Sequence, residues 1–178
     1  ASAGGASVAI SPGSSISSSN KPAVFGASFF ALPFPFAGFT IGAAVTPEAD
    51  LVGPVLAKFE VKVKAGAQFF QTQAVYHPDV FASFMKLARP VNVKVLAGIL
   101  VLRNYKMAEF MNANIPGMSV PSEMIEELKA AGEKAEDVGV DIAVRTIKAV
   151  RPHCDGVHII AIIATHRLAE IITKAELG

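Results

Sequence analysis

Four short apolar runs, GFTIGAAV (38–45), GAQFFQTQAVY (66–76), VKVLAGIL (93–100) and DGVHIIAI (155–162), are each followed by a segment of helix length. This alternation constrains the fold more than any other feature of the chain. The runs are short, rich in β-formers and bounded by turn or capping residues, as strands buried on both faces are. Strand and helix in alternation, with continuous apolar strands, predict an α/β protein with a parallel sheet and right-handed helical crossovers. An open doubly wound sheet and part of a barrel both satisfy that pattern. No GxGxxG follows a strand and no GxxxxGK[ST] occurs, so a Rossmann or P-loop function gains no support. Four βα units are half of an eight-stranded barrel, which typically needs about 250 residues. The 178 residues are too few for a whole one.

Helix starts can be read between the runs. Thr46-Pro47-Glu48 offers an N-cap followed by proline at the first helical position, and Pro78-Asp79 opens the next helix in the same way. Asn104 is placed to cap a third helix and Ser122 a fourth. Residues 137–150 carry Val140, Val144 and Ile147 on one side, and Leu168, Ile171, Ile172 and Ala175 predict the apolar stripe of a last helix.

Composition narrows the function classes. A 52% hydrophobic content in 178 residues implies one domain with a sizeable core. The net charge of +1 arises from interspersed acids and bases, without the basic stripe that nucleic acid or anionic lipid would require. The lone Cys154 cannot form an internal disulfide, so a reducing, cytoplasmic setting is the plain reading. Residues 1–20 are Ser/Gly/Ala-rich and uncharged, and predict a flexible segment ahead of one folded domain over 21–178. No charge occurs between Pro22 and Pro47, a length that raises membrane association as an alternative, but Pro33 and Pro35 speak against a continuous helix there.

The stretch GAQFFQTQAVYHP (66–78) poses the sharpest question. On a regular strand Gln71 and Gln73 point one way while Phe70, Thr72 and Ala74 point the other. A buried amide without partners costs about 1–3 kcal/mol, so these glutamines either satisfy each other and the backbone or await a ligand. His153, Cys154 and His158 supply too few ligands in too irregular a spacing for a zinc site, so no metal is expected, and His158 is expected to hydrogen-bond within the barrel.

Taken in series, IGAAVTPEAD, KVKAGAQFFQTQAVYHPDVFASFM, VLAGILVLRNYKMAEFMN, IPGMSVPSEMIEEL and CDGVHIIAI resemble the methylenetetrahydrofolate reductases, flavin-dependent (β/α)8 barrels, bacterial and acetogen-like members most of all. The likeness begins near residue 38 and covers the barrel's second half, strands five to eight. It implies an incomplete TIM-barrel type fold and reduction of 5,10-methylenetetrahydrofolate to 5-methyltetrahydrofolate in one-carbon metabolism. FAD would be the cofactor and NAD(P)H the electron donor. By the same resemblance Gln73 contacts the folate pterin near the flavin, and an amide suits a pterin edge because it donates and accepts without adding charge. Tyr105 matches a position near the folate, where a ring could stack. Thr46, Glu48 and Ala49 match the loop that passes the FAD, and Lys58 and Lys62 match positions near its ribityl and phosphate groups. Read alone, Lys58 and Lys62 are an i,i+4 pair on a solvated helix face.

Two departures accompany the likeness. The family's general-acid glutamate lies on its first strand and a flavin-contacting aspartate on its fourth, both upstream of the matching region, so the general acid is unassigned. His77 stands where the family usually has aspartate, and IATHRLAEI does not align, so Arg167 carries no folate-tail role. Half a barrel leaves edges to be covered, which implies a homo-oligomer or a partner subunit that completes the barrel or delivers electrons. A non-catalytic barrel-like subunit scaffolding a larger complex is the alternative.

Overall fold

The computed structural model describes residues 8–10, 39–49, 51–162 and 164–177. The expectations for the rest of 1–20 and for most of the uncharged stretch 22–47 lie outside the described residues. Five strands form one sheet in sequential order: β1 (Val8–Ile10), β2 (Phe39–Val45), β3 (Phe69–Ala74), β4 (Lys94–Leu100) and β5 (Gly156–Ile160). Strands β2 to β5, which correspond to the four apolar runs, are parallel and adjacent. Strand β1 joins the outer edge of β2 antiparallel, with Val8 opposite Ile41 and Ile10 opposite Phe39. A doubly wound sheet reverses its strand order at a switch point, whereas this order runs straight through. The architecture is therefore α/β of the (β/α)8-barrel type, with four of the barrel's parallel strands present.

Helices follow the strands: α1 (Val52–Lys64) after β2, α2 (Pro78–Ala88) after β3, then α3 (Tyr105–Asn114), α4 (Ser122–Ala131) and α5 (Ala135–Val150) between β4 and β5, and α6 (Leu168–Lys174) after β5. Pro78 occupies the first position of α2, and the Asn104 side chain accepts the Met107 N–H at 2.9 Å, as the sequence predicts. Two other starts differ. Residues 46–49 form a turn and α1 begins at Val52, because Glu48 is held by a distant part of the chain. Ser122 is the first residue of α4 and not its cap; the Pro121 carbonyl accepts from Met124 and Ile125 and opens the helix itself.

The main core lies between the sheet and its covering helices. Val45, Phe70, Val95, Ala97 and Ile99 face Phe59 of α1, Phe81 and Phe84 of α2, Val140 and Ile147 of α5, and Ile171 of α6. Phe59 anchors it, its ring centroid 4.2 Å from that of Phe70 and 6.0 Å from that of Phe84 in an edge-on contact. On α6 Ile171 and Ala175 are fully buried, but Ile172 is 43% exposed, so the predicted stripe loses that member. A second cluster, Ala74, Tyr76, Leu100, Leu102, Met111 and Leu128, packs α3 and α4 at the C-terminal ends of β3 and β4. There α5 comes so close that a Cβ on Gly139 would collide with the Leu102 carbonyl oxygen, which requires glycine. Strand β5 departs from the expectation of strands buried on both faces, because each of its residues is half-buried.

Candidate functional site

Parallel strands deliver their C-terminal ends to one side, and barrel active sites form there. That end gathers Thr46 and Glu48 after β2, Gln73, Tyr76 and His77 at the end of β3, and Tyr105 after β4.

Strand β3 is not regular at this point. Gln71 pairs with Leu96 and Ala74 with Gly98, so β3 spends one residue more than β4 between the two pairs. The bulge breaks the two-residue alternation. Phe70 sits in the main core, as expected, but Ala74 joins Tyr76 and Leu100 in the second cluster, while Val75 takes the main-core side. Ala74 therefore does not share the side of Phe70, contrary to the alternation predicted from the sequence. Gln71 is half-buried with an interaction of its own, whereas the Gln73 side chain is exposed. The two glutamines do not act as an equivalent pair.

Glu48 reaches across 28 residues to this strand end. Its Oε1 accepts the Tyr76 N–H at 2.8 Å and the His77 N–H at 2.7 Å, bracing the chain where it enters α2. Oε2 is buried with no hydrogen-bond partner among the described residues, as is the Tyr76 hydroxyl. Burial pushes the Glu48 carboxyl above the usual carboxylate range; the two N–H groups and His77 pull the other way without cancelling it. The Tyr76 phenol is likewise raised, by burial first and then by the charge of Glu48. The His77 ring lies 3.1 Å from the Ser119 carbonyl oxygen, and the Thr46 methyl packs over Gly117. The Ile115–Pro121 connection thus folds down over the ends of β2 and β3.

The other residues singled out from the sequence are placed as follows. Tyr105 is half-buried at the start of α3, with Lys129 Nζ 5.7 Å from its ring centroid, so part of its π surface is already engaged. Lys62 Nζ donates to the Ala44 carbonyl oxygen at 2.6 Å, while Lys58 is exposed, so the two are not a matched pair on a solvated face. Ala49 closes the turn by donating its N–H to the Thr46 carbonyl at 3.4 Å. His158 Nδ1 is buried with no hydrogen-bond partner among the described residues, so that nitrogen does not make the expected internal bond with them. Among the described residues no three His, Cys, Asp or Glu side chains gather as a metal site would require.

The residues implied for FAD fit that group only in part: Glu48 turns its carboxylate into the fold and Lys62 is committed to Ala44, which leaves Thr46, Ala49 and Lys58.

Sequence reasoning missed the parts played by Thr72, Tyr76 and Gly98. The available signal was a threonine between two glutamines on one strand and a lone glycine within the apolar run of the next.

Known proteins agree with this fold. The family model described as methylenetetrahydrofolate reductase matches residues 35–176. Methylenetetrahydrofolate reductase 2 of Schizosaccharomyces pombe is 31% identical over 137 residues, 66% of this chain and 21% of that protein. Methylenetetrahydrofolate reductase (NADH) 1 of Arabidopsis thaliana is 31% identical over 104 residues, 55% of this chain and 17% of that protein. The chain thus spans about a fifth of the length of these curated relatives. A solved structure of an uncharacterized protein from Clostridium thermocellum, described as binding two copies of 5-methyl-5,6,7,8-tetrahydrofolic acid, superposes with a TM-score of 0.55. It is 18% identical and the match covers 76% of this chain and 52% of that one, a likeness of fold alone. The family match takes in all four parallel strands and the helices between them, and the chain belongs to the methylenetetrahydrofolate reductase family.

Proposed function

We propose that this chain supplies the folate-facing second half of a barrel that reduces 5,10-methylenetetrahydrofolate to 5-methyltetrahydrofolate in one-carbon metabolism. The observation that carries the reading is Gln73: within the motif GAQFFQTQAVYHP, at the C-terminal end of β3, it is lifted by a bulge and left exposed while its neighbours Thr72 and Ala74 are buried. Its amide donates to and accepts from a pterin edge, holding the ring in place without adding charge beside a hydride path. Tyr105 borders the same end, with its remaining ring surface available to the pterin or its benzoyl tail. FAD, when bound, would carry the hydride and NAD(P)H would supply it; Thr46, Ala49 and Lys58 are the residues of this chain left to touch the flavin. The relative from Arabidopsis thaliana, named as NADH-dependent, supports a nicotinamide donor.

Among the described residues β5 has a strand neighbour on one side only, and its inner face is half-buried. That edge is open to a further strand of the barrel, and a non-catalytic scaffold is the second reading. No helix among the described residues is long and apolar enough to cross a membrane. An absorbance spectrum and a folate-reduction assay on the purified protein separate the two readings. Folate binding is expected of the purified chain, with flavin colour and reduction where the barrel is complete, and a colourless protein that neither binds nor reduces folate contradicts the proposal.

A further inference from the structure

Thr72 is a hydroxyl side chain at 4% exposure in the middle of the folate motif, and the function assigned to Gln73 leaves it unexplained. A bulge disrupts the ladder around it, and a buried N–H left without an acceptor is costly. The Gly98 N–H on β4 faces this problem. It donates instead to Thr72 Oγ1, at 2.8 Å in a buried setting. The same hydroxyl donates onward to the Gln73 carbonyl oxygen at 2.6 Å, so its donor and one of its acceptor sites are both used. Beyond the bulge the Val75 N–H donates to the Gly98 carbonyl at 2.9 Å and regular pairing resumes.

The strands also touch closely here. A Cβ on Gly98 would stand 2.5 Å from the Thr72 carbonyl oxygen and 2.7 Å from that of Gln73. Thr72 and Gly98 therefore hold the Gln73 peptide from two directions: Thr72 by a hydrogen bond to its carbonyl, Gly98 by leaving room for it.

We propose that Thr72 is a positioning residue, its hydroxyl inserted between the Gly98 N–H and the Gln73 carbonyl to fix the bulge and so aim the Gln73 amide at the folate pterin. The inference rests on the reading of Gln73 as a folate ligand. Its physical basis is preorganisation: an amide already held in its binding orientation need not be ordered when the ligand arrives. Valine has the shape of threonine without the oxygen, so Thr72→Val removes the device while keeping its volume.

The test uses the full chain and titrates 5-methyltetrahydrofolate by calorimetry, with amide exchange at Gly98 followed by NMR. Thr72→Val is expected to bind about tenfold more weakly, as the loss of one buried hydrogen-bonding arrangement would give. The Gly98 amide should exchange faster. Thr72→Ser keeps the oxygen and should bind like the wild type. The double variant Thr72→Val/Gln73→Ala should bind no worse than Gln73→Ala alone, because Thr72 acts only through Gln73. If Gln73→Ala weakens binding while Thr72→Val does not, or if the two losses simply add, the positioning role is overturned and the ligand reading of Gln73 stands. If Gln73→Ala binds like the wild type, the ligand reading falls and takes the positioning role with it. Should Thr72→Val fail to fold, Thr72→Ser decides: undiminished binding supports the hydroxyl's role, and weakened binding in a folded variant overturns it in favour of methyl packing.

Discussion

Two carboxylates at opposite ends of the sheet, Asp155 and Glu48, are treated in opposite ways. At the N-terminal end Asp155 precedes β5 and is fully engaged: Arg89 Nη1 lies 3.0 Å from Oδ2, Lys94 Nζ 3.2 Å from Oδ1, and the Val95 N–H 3.0 Å from Oδ2. Burial alone would raise its carboxyl, but the Val95 N–H, Lys94 and Arg89 outweigh burial and hold it below the usual range. At the C-terminal end Glu48 has one oxygen braced and the other buried with no hydrogen-bond partner among the described residues, and its carboxyl is held high. The Tyr76 hydroxyl likewise has no partner among the described residues. Asp155 has both oxygens engaged, whereas these two groups stand incomplete at the end that exposes Gln73. That difference is expected of a barrel whose bottom secures the fold and whose top meets ligands.

The comparison can be broken most severely at the bulge. Gly98→Val would drive a branched side chain into the Thr72 and Gln73 carbonyls, and a loss of about 3 kcal/mol or more is expected in chemical denaturation. Next in size is Glu48→Ala, which leaves the Tyr76 and His77 N–H groups without their acceptor and should cost about 1–3 kcal/mol. Glu48→Gln retains one acceptor oxygen and should cost less in the same denaturation series.

The pH dependence sharpens the contrast, because the two carboxylates have opposite signs. Asp155 binds its proton less readily folded than unfolded, so its contribution is present above the ordinary aspartate value, about 3.9, and is lost as pH falls through its lower folded value. Glu48 binds its proton more readily when folded, so its contribution is present below the ordinary glutamate value, about 4.3, and is lost as pH rises through its higher folded value. Stability measured across this range should therefore become flatter on the acid side in Asp155→Asn, and flatter above about pH 4 in Glu48→Gln. The smallest effect is expected at Lys94, whose side chain is 75% exposed: Lys94→Ala should change stability by no more than about 1 kcal/mol.

These contrasts also explain what the sequence disclosed and what it withheld. The four strands, the proline start of α2 and the Asn104 cap depend on neighbours within a few residues, and each was legible. The bulge in β3 was not, because it depends on Gly98 in the next strand and on a threonine hydroxyl standing in for a backbone acceptor. The apparent helix start at Thr46-Pro47-Glu48 was overridden by a contact between Glu48 and residues 28 and 29 positions away. Lys62 read as a free cation, but its bond to Ala44 spans 18 residues. Ile172 joined an apolar stripe on paper, yet the seven-residue α6 buries only the side centred on Ile171. For the bulge, Glu48 and Lys62 the deciding partner was remote in sequence, and local pattern could not reveal it.

The central claim is that the exposed amide at the β3 bulge meets folate. The most direct test measures the affinity of wild type and Gln73→Ala for 5-methyltetrahydrofolate beside their melting curves. Affinity is expected to fall by about 1–3 kcal/mol with the melting temperature essentially unchanged, since an exposed side chain contributes little to the fold. Equal affinity in the two proteins, or a joint loss of affinity and thermal stability, would contradict it.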